Sequence, residues 1–148
     1  MNTVDEILDY AINQEQLAAD FYEDLAERAE TAGMKKMLLD FAEEEKHHKQ
    51  ILQDVKTGEH ELSPEQEVLD LKISNYLVDV EAHDKLTYQD ALIIAMQRER
   101  AAYELYSDMA EKLPDSHLKN TINGLAKEEA KHKLFFETEY DEHVLADN

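Results

Sequence analysis

The 148-residue chain has no cysteine and no tryptophan, only three glycines and two prolines. Without cysteine it can form no disulfide and can hold no thiolate-bound zinc, iron or iron–sulfur centre, so any electrons it uses must come from another molecule. So little glycine and proline leaves scant material for the turns of a sheet, and the abundance of Ala, Leu, Glu, Lys and Gln predicts an all-α chain. Positive charge is scarce too. Fifteen Lys and Arg against 35 Asp and Glu give a formal charge of −20, which repels nucleic acid and anionic membrane surfaces. Long apolar runs are missing as well. The longest, Ala91 to Met96, is far too short to span a bilayer, and the opening MNTVDEILDY lacks a basic region followed by an apolar stretch. The expectation is a cytoplasmic protein with a single domain over residues 1–148.

What the chain does have is a repeated polar pattern. Glu15 is followed thirty residues later by Glu45-x-x-His48, and Glu99 thirty residues later by Glu129-x-x-His132, with a constant offset of 84 between the two sets. Residues 4–56 align with 88–140 without a gap and share fourteen identities, including every member of both sets. The pattern reads as one metal-binding hairpin used twice, joined by a connector over 57–87.

Start and stop signals divide the chain into four long helices. Thr3 with Glu6 reads as a capping box for a helix running to about Thr31, with the break at Thr31-Ala32-Gly33. The second helix is expected from about Met34 to Lys56, stopping near Gly58. Ser63-Pro64-Glu65-Gln66 is a further start signal, expected to open one or two short helices reaching about Val80. Thr87 with Asp90 resembles a cap for the third helix, which ends near Leu113-Pro114, and the fourth is expected from about Ser116 to His143. A connector of this length allows the second and third helices to lie parallel, as in crossover four-helix bundles.

Periodicity assigns the inward faces. Val4, Leu8, Ala11, Glu15, Ala18, Tyr22 and Leu25 alternate steps of four and three. So do Met34, Leu38, Phe41, Glu45, His48, Leu52 and Val55 in the second helix, Leu92, Ala95, Glu99, Ala102, Tyr106, Met109 and Leu113 in the third, and Leu118, Ile122, Leu125, Glu129, His132 and Phe136 in the fourth. All six residues of the repeated pattern fall on these apolar stripes. At about 1.5 Å per residue, Glu15 and the Glu45/His48 pair lie at similar heights on either side of their turn, as do Glu99 and the Glu129/His132 pair. Glu and His three apart share one helix face and can reach a common ion.

A lone Glu-x-x-His is common by chance in so acidic a chain. Two of them on core faces, each opposite an inward Glu, demand another explanation, because an ionised carboxylate buried without a partner costs roughly several kcal/mol. Lys and Arg are absent from the stripes, whereas two divalent cations would balance four carboxylates. These residues describe a dinuclear metal site, with carboxylate-bridged iron the expected occupant and manganese compatible with the same donors. Glu44-x-x-His47 overlaps the first motif, but its repeat partners are Glu128 and Lys131, so His47 is expected to face solvent. His60, His83, His117 and His143 have no repeat partner and no acidic set at ligand spacing. Tyr22 and Tyr106 are repeat mates seven residues beyond Glu15 and Glu99, placed either as core tyrosines or as phenols acting beside the metal. Met34, Met37, Met96 and Met109 read as packing residues.

At these residues the chain resembles the ferritin-like superfamily, and within it the rubrerythrin-type diiron domain. Phe41-Ala-Glu-Glu-Glu-Lys-His-His48 and Leu125-Ala-Lys-Glu-Glu-Ala-Lys-His132 are similar to that family's second and fourth helices. The resemblance covers nearly the whole chain and implies an all-α, ferritin-like four-helix bundle with a long crossover between its second and third helices. It further implies that Glu45 and Glu129 bridge two iron ions, that Glu15 and Glu99 each bind one terminally, and that His48 and His132 complete the set. Typical rubrerythrins add a rubredoxin-like domain with four cysteines and a further carboxylate one helical turn after the third-helix ligand; here there is no cysteine, and that position is Ala102. Lys46 follows Glu45 where the similar bacterioferritins would place a haem-binding Met, so no haem is expected. The function implied is a diiron oxidoreductase reacting with hydrogen peroxide or dioxygen, supplied with electrons by an external donor such as a rubredoxin-like protein and assembled as a homodimer. A ferroxidase, a dimanganese catalase-like protein and a metal-free helical interaction module are the alternatives.

Overall fold

The computed structural model of the chain describes residues 2–58, 68–78 and 87–145. It falls into two compact units, divided after Ile73. Each is built on one antiparallel pair of long helices.

In the first unit, Thr3 ends a two-residue strand β1 (Asn2–Thr3) and caps helix α1 (Val4–Glu27). Its hydroxyl accepts the Glu6 amide while the Glu6 carboxylate accepts the Thr3 amide, each at 3.1 Å. Two donors that a helix start would leave unsatisfied are thereby paired, as the sequence predicts. α1 ends earlier than predicted. The Arg28 amide bonds to Leu25 O at 3.0 Å, a tight final turn that closes the helix four residues before Thr31. Thr31 instead starts α2 (Ala32–Thr57), because its hydroxyl accepts the Met34 amide at 3.1 Å. Ala32 and Gly33 therefore lie inside the first turn of α2 rather than in the break. At the other end the Gly58 amide reaches Asp54 O at 2.7 Å, and a β-carbon there would lie 2.8 Å from the same oxygen. Only glycine allows that approach.

The connector folds back onto the start of α1. β2 (Val68–Leu69) pairs antiparallel with β1, Asn2 opposite Leu69 and Thr3 opposite Val68. The Asn2 amide donates to Leu71 O, and its side-chain oxygen accepts the Ile73 amide, both at 3.0 Å. This short clasp is the one departure from all-helix structure among the described residues. The predicted short helices of the connector reduce, in its described part, to a single 3-10 turn over Ile73–Tyr76. The Ser63-Pro64 start signal, His60 and His83 lie outside the described residues.

In the second unit, Thr87 and Asp90 form a second capping box at the start of α3 (Tyr88–Lys112), with bonds of 3.0 and 3.3 Å. Asp115 caps α4 (Ser116–Tyr140) through the Leu118 amide at 2.9 Å. The winding then widens into a π turn over Asp141–Leu145, so the helical path reaches the predicted end at His143 by a different geometry. The Tyr76 hydroxyl donates to the Asp108 carboxylate of α3 at 2.7 Å. Burial first, and then that carboxylate, push the Tyr76 phenol above its usual range.

The predicted stripes form the interiors. Leu8, Ala11, Tyr22, Leu38 and Leu52 are buried in the first hairpin, and Leu92, Ala95, Tyr106, Met109, Ile122 and Phe136 in the second. Met34, Val55, Ala102 and Leu118 are only half-buried; all but Ala102 sit near helix ends, where the facing helix covers less of them. Met37 departs further. It is 39% exposed, one step off the α2 stripe, and packs no core. Among the described residues no helix is long and apolar enough to cross a membrane.

Candidate metal centre

Glu15 stands midway along α1, and Glu45 and His48 stand on the facing surface of α2. All three are at least 98% buried. Each offers one donor atom, and these atoms lie within 4.8 Å of one another. His48 Nδ1 is 3.7 Å from Glu15 Oε2 and 3.8 Å from Glu45 Oε1. Such separations exceed hydrogen-bond length and suit donors arranged around one ion.

Three contacts across the helix pair frame this group. Asp9 meets Lys56, Gln16 Oε1 accepts from Lys49 Nζ at 2.9 Å, and Glu23 meets Lys46 Nζ at 2.6 Å. Gln16 directly follows Glu15, and Lys49 directly follows His48, so the middle contact fixes the register of the two helices at the level of the site. Its hydrogen bonds to the Glu23 and Glu43 carboxylates raise the Lys46 ammonium above its usual range. That lysine therefore stays charged on the outer face, one residue from buried Glu45.

The second hairpin builds the same group on α3 and α4. Glu99, Glu129 and His132 are at least 98% buried, their donor atoms lie within 4.8 Å of one another, and His132 Nδ1 is 3.5 Å from Glu99 Oε1. The oxygens Glu15 Oε2, Glu45 Oε1 and Glu99 Oε2 and the nitrogen His132 Nδ1 are closed to solvent. Each hairpin thus presents two carboxylates and one imidazole in a dry interior. One divalent cation per hairpin matches that charge, and oxygen with imidazole nitrogen suits iron or manganese.

The other predicted positions fall on either side of these groups. Glu44 and His47 are exposed, as the helix phase requires, and His117 is exposed in the first turn of α4. Tyr22 and Tyr106 are each 1% exposed. Tyr22 sits edge-on to Phe21 and Phe41, with ring centroids 6.0 and 6.3 Å away. Sequence reasoning missed Glu139, which is buried on α4. The signal was present, because Glu139 continues the step of three after Phe136, but a stripe read for apolar residues stops one step short of it.

Comparison with known proteins agrees with this geometry. A putative ferritin-like diiron-carboxylate protein from Thermotoga maritima superimposes with a TM-score of 0.76 at 22% identity, covering 96% of this chain and 97% of that one. A hypothetical protein from Pyrococcus furiosus gives 0.70 at 26% identity, covering 93% and 87%. No curated protein matches. The fold is therefore the all-α, ferritin-like one with four long helices. The rubrerythrin family's sequence model matches residues 6–140, and the chain belongs to the rubrerythrin family.

Proposed function

We propose that the two Glu/Glu/His groups together hold a dinuclear iron centre, and that the protein is an oxidoreductase reducing hydrogen peroxide or dioxygen. The observation that carries this reading is the burial, in each hairpin of a rubrerythrin-family chain, of two carboxylates and an imidazole with no lysine or arginine on the same stripe. Two divalent ions make that set neutral. The likeness to the putative diiron-carboxylate protein of Thermotoga maritima favours iron over manganese.

Bound iron supplies the redox chemistry, cycling between Fe(II) and Fe(III). The chain's own residues do the rest. Glu15, Glu45, Glu99 and Glu129 would hold the ions and neutralise their charge, and Nδ1 of His48 and of His132 would complete each set. Surrounding apolar side chains exclude bulk water, which strengthens these electrostatic contacts and keeps the donors in place. The phenols of Tyr22 and Tyr106, seven residues along the same stripes, are the groups proposed to hold or pass a proton at Oη. Reduction of one peroxide to water takes two electrons and two protons. A chain without cysteine carries no thiolate-bound iron to restore those electrons, so a partner such as a rubredoxin-like protein must.

The test is stopped-flow oxidation of the Fe(II)-loaded protein by peroxide and, separately, by dioxygen, with and without a reduced rubredoxin-like donor. The expected result is one rapid oxidation without donor and sustained turnover with it. Sustained peroxide consumption without donor would reject the peroxidase reading in favour of catalase chemistry, and release of Fe(III) after each cycle would replace it with ferroxidase chemistry.

A further inference from the structure

Beyond the six residues of the metal groups, Glu139 is the one buried charged side chain among the described residues. It lies on the same face of α4, ten residues past Glu129 and so about 15 Å further along the helix. His143 Nε2 approaches Glu139 Oε1 at 2.6 Å, and the Tyr88 hydroxyl donates to the same oxygen at 3.4 Å. The Tyr88 and His143 rings meet edge-on with centroids 5.2 Å apart. A phenol and an imidazole therefore meet at one carboxylate oxygen, which brings three groups of different chemistry together.

Packing does not require this polarity. The repeat mates of Tyr88 and Glu139 in the first hairpin are Val4 and Val55, and an apolar pair at such a place is usually as stable as a buried polar one, or more so. His143 has no aligned mate; it lies four residues past Glu139, within the π turn that follows α4, a local widening of the kind often found at functional sites. Its side chain is 46% exposed, which opens the cluster to solvent and leaves room for further ligands.

We propose that Tyr88, Glu139 and His143 form a mononuclear site for ferric iron, separate from the two Glu/Glu/His groups. Hard oxygen donors with one imidazole suit a small, strongly Lewis-acidic cation, and ferric iron is acidic enough to take the phenol as phenolate. Binding forms three metal–donor bonds, displaces the donors of the carrier chelate, and releases the phenol proton to solvent, while the neutral imidazole binds through Nε2 with its proton on Nδ1. No electron moves. The site gives the chain a place to hold oxidised iron outside the dinuclear centre.

The experiment is titration of the full chain with ferric nitrilotriacetate, followed by visible absorption and electron paramagnetic resonance. A phenolate-to-iron charge-transfer band and a mononuclear high-spin ferric signal should saturate together at one equivalent. Tyr88→Phe should abolish the band. His143→Ala, a change at a half-exposed residue, should weaken binding by at least about tenfold, the effect usual even for an indirect partner of a metal. His48→Ala should retain the band. Absence of the band in the unaltered chain, its survival in Tyr88→Phe, unchanged binding in His143→Ala, or its loss in His48→Ala would each overturn the proposal.

Discussion

In the first hairpin Asp9, Gln16 and Glu23 each reach a lysine on the facing helix. At the equivalent places of the second stand Ile93, Arg100 and Ser107, opposite Tyr140, Lys133 and Ala130. None of those pairs can make the same bond. Arg100 turns to Glu104 at 3.1 Å and Lys133 to Glu137 at 3.4 Å, each within its own helix. Yet both hairpins bring two glutamates and one histidine to equal burial. The outer contacts therefore do not create the metal group. The apolar stripe on each helix does, by fixing which face turns inward, and the contacts of the first hairpin add a register constraint that the second does not make at the equivalent places. Exposed ion pairs contribute at most about 1 kcal/mol each, whereas a buried Leu contributes about 1.5–3 kcal/mol, so the stripe dominates.

The comparison breaks most clearly at the ligands. Glu45→Ala and Glu129→Ala should each abolish binding of the metal pair, and His48→Ala and His132→Ala should each weaken it, as read by metal analysis after gel filtration. Glu44→Ala and His47→Ala should bind like the unaltered protein. Loss of metal in Glu44→Ala equal to that in Glu45→Ala would show that the helix phase is wrong. A marked difference between Glu45→Ala and Glu129→Ala would show that the hairpins are not equivalent.

Core substitutions come next. Leu8 and Leu92 are repeat mates, each with no exposed surface, and replacing either with Ala should cost about 2–5 kcal/mol in urea unfolding. Similar losses at the two positions would support equal roles for the stripes. A loss under about 1 kcal/mol at one of them would place that hairpin's stability elsewhere.

A smaller effect separates the hairpins through the connector. Tyr76 bonds to Asp108, the repeat mate of exposed Asp24, so Tyr76→Phe should cost about 1 kcal/mol while Asp24→Asn should be near neutral. Because folding raises the phenol above its usual value of 10.0, its contribution is fully present below that pH and is lost as pH rises through the higher folded value. Alkaline unfolding of Tyr76→Phe should lack that component. Identical alkaline profiles for the variant and the parent would remove Tyr76 from the account.

The smallest effects concern the outer contacts and the caps. Lys49→Met should change stability by less than about 1 kcal/mol and leave metal content unaltered; metal loss there would make the register contact part of the site. Glu6 is held below its usual value by its bonds to Thr3. Its share of stability should therefore be present above that usual value and fade as pH falls through the lower folded one. Acid unfolding of Glu6→Gln against the parent reads this directly.

Most of this was legible in the sequence. Steps of three and four placed Glu15, Glu45, His48, Glu99, Glu129 and His132 on inward faces because a helix repeats its face regardless of partner. The capping boxes at Thr3 and Thr87 were legible because they are local. The misses are cases where contacts distant in sequence, or a choice between equivalent local signals, decided the outcome. Thr31 could end one helix or start the next, and its bond to Met34 settled that. The clasp of Asn2 with Leu69, Leu71 and Ile73 joins segments nearly seventy residues apart, beyond any periodic pattern. Glu139 was missed because the α4 stripe was read only as far as its last apolar residue, Phe136, and because its partner Tyr88 lies on another helix.

If the two Glu/Glu/His groups hold a dinuclear iron centre, anaerobic Fe(II) titration of the chelator-washed protein will show it, read by bound metal per chain and by thermal unfolding. Binding should saturate at two ions per chain. Stability should also rise with free metal, by about 2.7 kcal/mol for each ion bound at a hundredfold excess over its dissociation constant, and both ions should be lost when either Glu45 or Glu129 is replaced. Saturation at zero or one ion, or two ions retained in Glu45→Ala, would contradict that assignment.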